Sequence, residues 1–292
     1  MEALTSGRIA GAALDVYSSE PPAASPSAAK LLELDNVTLT PHLGASTAEA
    51  QEKAGVAVAK SVRLALAGEL VPDAVNVAGG VIHEDVRPGL PLAEKLGRTL
   101  RALVGEASLE SVDVEVAGEI AEHDVKAVRL AALKGVFTDV VSEQVSYVNA
   151  PVLAEQRGVE SRLTTTPVAE SYRNAITVSG VTSTGEKTSV TGTLTGPKQV
   201  QKLVGVDGHE IEVPLAEHLL VFGYADRPGV VGILGQALGE QGVNIAGMDV
   251  SRDAEGTALA VLTLDAGMAA GTVGALAQAI GAERAAEIDL SE

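Results

Sequence analysis

The sequence predicts a multidomain protein of mixed α/β and α+β class, with a piece of parallel sheet first, a mixed α/β centre and a βαββαβ module last. Three observations carry this. The run Ile9-Ala-Gly-Ala-Ala-Leu14-Asp15-Val16 is apolar without alternation, as expected for a strand buried on both faces of a parallel sheet. Residues 175–213 hold several short alternating runs parted by glycine-rich turns such as Ser183-Thr-Gly185 and Thr195-Gly196-Pro197. From His218 onward the pattern reads strand, helix, strand, strand, helix, strand.

Composition bounds the function. A chain of 292 residues has room for two or three domains, each with its own core. Its formal charge of −18 argues against nucleic acid or an anionic membrane surface as a partner. No apolar run approaches the roughly 18–20 residues of a membrane helix, and Met1-Glu-Ala-Leu-Thr lacks the basic-then-apolar order of a signal peptide. With no cysteine there is no disulfide, thiol nucleophile or cysteine metal site, and a cytoplasmic location is expected. Four tyrosines, two phenylalanines and no tryptophan leave the cores to Val, Leu, Ile and Ala.

In the first 78 residues a second apolar run, Val37-Thr-Leu39-Thr40, leads into Pro41-His42. Gly44-Ala-Ser46-Thr47 then opens a helix, with Ser46 and Glu49 spaced as a capping box. The helix is expected to reach Leu66, with Gly68 as its stop. Pro72 to Val77 would close this body, and Gly79-Gly80 reads as a hinge.

The segments Gly7 to Pro21 and Asp35 to Gly44, with Glu20-Pro21 and Pro41-His42 at their spacing, resemble the last part of the nucleotide-binding domain of the D-2-hydroxyacid dehydrogenases. The resemblance implies a remnant of a Rossmann-like parallel sheet, with Glu20 as the catalytic glutamate and His42 as the acid/base. Asp15 and His42, Leu43, Gly44 and Ala45 would lie beside the nicotinamide of NAD. The chemistry suits the residue types. Oxidising a 2-hydroxy acid takes hydride from C2 while a base takes the hydroxyl proton, and histidine, with an ordinary pKa of about 6.5, exchanges protons near neutrality. A carboxylate beside it fixes the ring and stabilises the imidazolium.

No Gly-x-Gly-x-x-Gly follows a strand; Gly229-x-x-Gly232-x-x-Gly235 has the wrong spacing. That loop would hold the cofactor pyrophosphate at a helix N-terminus. The family's substrate arginine is also missing upstream of Gly7. A truncated chain, inactive alone and poorly ordered over its first 78 or so residues, is therefore expected, because strands made for a sheet interior would expose their edges.

In the centre, residues 91–105 and Val125–Val141 have helical periodicity, Leu109–Val116 alternates as a strand, and Tyr147-Val-Asn149-Ala150-Pro151 leads into another helix. This stretch, residues 79–217, resembles the intervening domain of the long D-3-phosphoglycerate dehydrogenases, which takes part in oligomer contacts and binds anions. Lys198 and Lys202 are the only candidates for an anion here, and a solvated role suits both better, since Gly208-His-Glu-Ile-Glu-Val is acidic. His83, His123, His209 and His218 show no metal-ligand spacing and read as surface or structural, so no metal is expected.

Residues 218–292 divide into strand His218–Tyr224, helix Pro228–Gln241, strands Ile245–Arg252 and Ala258–Asp265, helix Ala270–Gly281 and a strand around Ala286–Leu290. Asp226 and Pro228 read as helix-start signals, and Glu255-Gly256 as the turn between the middle strands. Tyr224-Ala-Asp226-Arg-Pro228-Gly229 followed by Gly242-Val-Asn244-Ile resembles the ACT family, a ferredoxin-like regulatory module. An amino-acid effector fits it, with its carboxylate on helix N-terminal amides. In the dehydrogenases resembled, L-serine binds between paired ACT domains, and the matching positions are Tyr224, Asp226 and Asn244.

The resemblance as a whole implies NAD-dependent oxidation of 3-phosphoglycerate under L-serine feedback, in a homo-oligomer joined through the ACT and intervening domains. The alternative is a stand-alone serine sensor with a vestigial dehydrogenase segment; a purely structural fragment would bind neither ligand.

Overall fold

The computed structural model describes residues 1–17, 20–21, 26–75 and 82–291, without the side chains of 27 and 28. The proposed hinge Gly79-Gly80 lies outside the described residues. Two compact units are present, Met1–Arg63 and Leu64–Glu292.

In the first unit, short helices α1 (Glu2–Thr5) and α2 (Pro26–Ala29) accompany strands β1 (Ala12–Leu14) and β2 (Val37–Leu39) and the long helix α3 (Ala48–Leu66). β1 and β2 run parallel, with Ala13 opposite Thr38. The expectation of a strand buried on both faces is corrected: Ala13 is exposed and Ala12 and Leu14 are half-buried, because among the described residues this sheet has only two strands. α3 has no buried residue. Its start also differs from expectation. Ser46 belongs to a 3-10 turn, and Thr47 caps the helix, its Oγ1 accepting from the Ala50 amide at 3.1 Å. The stop at Gly68 holds, with φ of 70°.

The second unit is built on a six-stranded sheet. Its strands are β3 (Leu109–Gly118), β4 (Glu160–Thr166), β5 (Asn174–Thr182), β6 (Lys187–Thr195), β7 (Val200–Val206) and β8 (His209–Pro214), in the order β4-β3-β5-β6-β7-β8. Only β3 and β4 pair in parallel. Helices α4 (Gly89–Val104) and α5 (Lys126–Phe137) pack on each other, and α4 lies against β5 and β6. Their backbones approach so closely that a Cβ on Gly97 would stand 2.1 Å from the Ala132 carbonyl, and one on Gly135 1.9 Å from that of Glu94. Leu92, Leu96, Leu100, Leu130 and Leu133 fill the layer between. A short α6 (Ala150–Gln156) follows the Tyr147–Pro151 motif, whose Asn149 is structural: its Oδ1 accepts from the Ser146 amide at 2.7 Å and its Nδ2 donates to the Gln144 carbonyl.

Downstream, β9 (His218–Ala225), α7 (Val230–Glu240), β10 (Ile245–Arg252), β11 (Thr257–Leu264), α8 (Thr272–Ile280) and β12 (Ala282–Asp289) form a βαββαβ module, sheet order β10-β11-β9-β12. Alternation on β9 splits its side chains between two cores. Leu220, Phe222 and Tyr224 pack with Leu234 and Leu238 of α7 and Leu276 and Ile280 of α8. Leu219 and Val221 join the core of the six-stranded layer. Arg284 of β12 ties the layers together through an ion pair with Asp207 and bonds to the Thr188 hydroxyl (3.0 Å) and the Leu103 carbonyl (3.3 Å).

Candidate catalytic pair and effector-binding ends

In the first unit the candidate residues stand where β1 and β2 end. Ligands of open parallel sheets bind beyond the carboxyl ends of the strands, and Asp15 follows β1 as Thr40-Pro41-His42 follows β2. His42 Nδ1 lies 3.2 Å from Glu20 Oε1, both side chains half exposed. The expected pair is therefore assembled.

Asp15 builds the loop that carries His42. Its Oδ1 accepts from the Thr40 hydroxyl (2.5 Å) and the Leu43 amide (2.7 Å), its Oδ2 from the Gly44 amide (2.7 Å), and its carbonyl from the His42 amide (3.0 Å). The Thr40 hydroxyl first, then the loop amides, hold the Asp15 carboxyl below its usual range. The same bonds sustain His42 at φ of 55°, a left-handed backbone that costs on the order of 1–3 kcal/mol for a non-glycine residue. His42, Leu43, Gly44 and Ala45 are all exposed.

In the βαββαβ module, Tyr224 and Asp226 meet at one end of the sheet. Burial first, then the nearby Asp226 carboxylate, raises the Tyr224 hydroxyl above its usual range. The expected capping role of Asp226 is corrected. Gly229, at φ of 94°, precedes the first turn of α7 and no side chain caps it, while Asp226 Oδ2 pairs with Arg252 Nε at 3.0 Å. The α7 N-terminus beside Asp226 therefore offers amide donors.

Asn244 is elsewhere. It precedes β10, whose Ile245 pairs with Leu264 of β11, and Leu264 pairs with His218 at the far end of β9. Asp226 follows the opposite end of that eight-residue strand, so the two lie roughly 25 Å apart along the sheet. There the Asn244 amide donates to Asp265 Oδ1 at 2.9 Å. Within one chain the three proposed effector residues do not form one site.

The solvated role expected for Lys202 is corrected: it is half-buried and paired with Glu212, whereas Lys198 is exposed. Sequence reading missed one grouping: His123 comes together with His83 and Asp85, although it lies far from both in the chain.

Three family models match: D-isomer specific 2-hydroxyacid dehydrogenase, NAD binding domain, over residues 1–44; D-3-phosphoglycerate dehydrogenase intervening domain over 85–207; and ACT domain over 218–281. The chain is 45% identical over 291 residues to a D-3-phosphoglycerate dehydrogenase of Mycobacterium leprae, covering 99% of this chain and 54% of that protein. It is 36% identical over 268 residues to that of Methanocaldococcus jannaschii (90% and 49%). With the chloroplastic D-3-phosphoglycerate dehydrogenase 2 of Arabidopsis thaliana it shares 35% over 270 residues (86% and 42%). The chain belongs to the D-3-phosphoglycerate dehydrogenase family. It spans about half the length of the curated relatives it matches.

The matched segments follow the elements closely. The NAD-binding match ends in the loop that Asp15 holds, the intervening match ends at Asp207 after β7, and the ACT match opens on the first residue of β9. No helix among the described residues is long and apolar enough to cross a membrane.

Proposed function

We propose that this chain serves an enzyme of L-serine biosynthesis that oxidises 3-phospho-D-glycerate to 3-phosphooxypyruvate with NAD, slowed by L-serine bound at its ACT domains. The observation that supports the chemistry is the 3.2 Å contact of His42 Nδ1 with Glu20 at the carboxyl ends of two parallel strands. Glu20 orients the ring through Nδ1, so Nε2 takes the proton of the substrate C2 hydroxyl and Glu20 stabilises the imidazolium that results. NAD, when bound, supplies the hydride acceptor. The exposed turn His42–Ala45, kept in shape by Asp15, suits the nicotinamide end, and Gly44 leaves it tight: an added Cβ would meet Asp15 Oδ2 at 3.1 Å. These 292 residues include no glycine-rich loop for the pyrophosphate, so we propose that the chain alone does not turn over.

Regulation follows from the sheet geometry. Tyr224, Asp226 and the uncapped α7 amides offer an acceptor for the effector ammonium and donors for its carboxylate, and Asn244 reaches the same effector only from a second copy. L-Serine would therefore bind between paired ACT modules, in a homo-oligomer, and act on catalysis by linkage.

The test is NADH formation from 3-phospho-D-glycerate by the native protein of its source cells. His42→Asn there should cut kcat by about 10²- to 10⁴-fold while cofactor binding persists. An unchanged kcat would remove His42 from the chemistry. NADH binding by the 292-residue chain itself would overturn its proposed inactivity.

A further inference from the structure

The grouping that the histidine spacing hid lies in the second unit. His83 and Asp85 sit on the turn before α4, and His123 follows the 3-10 turn Glu119–Glu122. The candidate ligand atoms of all three fall within 4.8 Å of one another. Asp85 Oδ2 stands 3.4 Å from His83 Nδ1 and 3.9 Å from His123 Nε2, and the two imidazoles stack with centroids 3.7 Å apart.

We propose that His83, Asp85 and His123 are the protein ligands of a zinc-class divalent cation. Two imidazole nitrogens and one carboxylate oxygen form a donor set suited to zinc, nickel or cobalt rather than magnesium or calcium. Tetrahedral bonds of about 2.0–2.1 Å place ligand atoms about 3.4 Å apart. The first contact already has that spacing, and the second closes by a few tenths of an ångström. Chelation requires the stacked rings to fan apart. Their side chains are 46% and 32% exposed, so they turn without disturbing the core.

Hydrogen bonding fixes the starting state of one ligand. The Asp85 amide donates to His83 Nδ1 at 3.3 Å, so the single lone pair of that nitrogen is engaged, and a cation there takes the place of this one bond. Electrostatics favours a cation. His123 and Asp85 line a cavity of about 670 Å³ together with Glu119 and Glu122, and the Arg173 in its wall is committed to Glu119 at 2.6 Å. The cavity gives the fourth coordination position room for water or a small acidic ligand. This inference stands apart from the dehydrogenase reading, since no residue is shared.

Calorimetric titration of Zn²⁺ into the 292-residue chain at neutral pH tests it. One equivalent should bind to the wild type and to a His42→Ala/His209→Ala/His218→Ala control, and be lost in His83→Ala/His123→Ala. Either single substitution should weaken binding by at least about tenfold, the lower end of what outer-shell changes alone cost. Should the double variant misfold, Co²⁺ added to the wild type decides, because it must broaden the ring signals of His83 and His123 before those of the other three histidines. Zn²⁺ bound equally by wild type and double variant, no Zn²⁺ bound by the wild type, or broadening elsewhere would overturn the proposal.

Discussion

Asp15 shows how one side chain shapes a loop. Three donors converge on its carboxylate and hold the turn that presents His42. Its folded pKa lies below the ordinary value of 3.8, so the bonds are fully present above that value and are lost as pH falls through the lower, folded one. Protection of the Leu43 and Gly44 amides, taken against the intrinsic exchange rate at each pH, should therefore be high near neutrality and fall only in acid. In Asp15→Asn it should be low at every pH; protection retained in that variant would mean that the loop is held by something else. At this scale the sequence was legible where a motif paired two residues, as for Glu20 and His42, which the fold brings together. It was not legible for Asp226, because a capping residue and an ion-paired residue look alike until Arg252, on another strand, is seen to reach it. The same holds for His83 and His123, which only the fold makes neighbours.

Among elements, periodicity located most boundaries to within a few residues. The limits of β10, Ile245–Arg252, match outright, and α4 carries a near-ideal apolar stripe. What failed has physical causes. β4, Glu-Ser-Arg-Leu-Thr-Thr-Thr, went unread because an edge strand with one face in solvent needs little apolar alternation. The strand around Ala12 was expected to be buried because apolarity reports what a strand can bury, not what covers it. Helix packing makes a sharper prediction. Gly97→Ala gains about 0.5–1 kcal/mol of helix propensity, but its Cβ would strike the Ala132 carbonyl, and backbone cannot yield cheaply. Overpacking of about 1–3 kcal/mol should win, lowering Tm by roughly 2–4 °C per kcal/mol. Gly239→Ala on α7 meets open space and should match or exceed the wild type. Thermal melts of the two variants settle the point, and a Gly97→Ala as stable as Gly239→Ala would refute the close-packed crossing.

In the molecule as a whole, β9 is the strand on which two layers meet. One set of its side chains packs under α7 and α8 and the other into the layer of α4, so this one strand serves two separate cores and joins the ACT module to the six-stranded layer through the second. The same strand separates Asp226 from Asn244 by its full length, which makes any effector site that uses both a property of two copies. Calorimetric titration of L-serine tests this directly, using Asp226→Ala, Asn244→Ala and an equimolar mixture of the two that has been allowed to exchange subunits. Each variant alone should lose binding. The mixture should recover about a quarter of the wild-type sites, since half the pairs are mixed and each mixed pair holds one intact site of two. No recovery on mixing, with both variants folded and paired, would contradict a shared site, and serine binding unchanged in both variants would contradict the effector assignment itself.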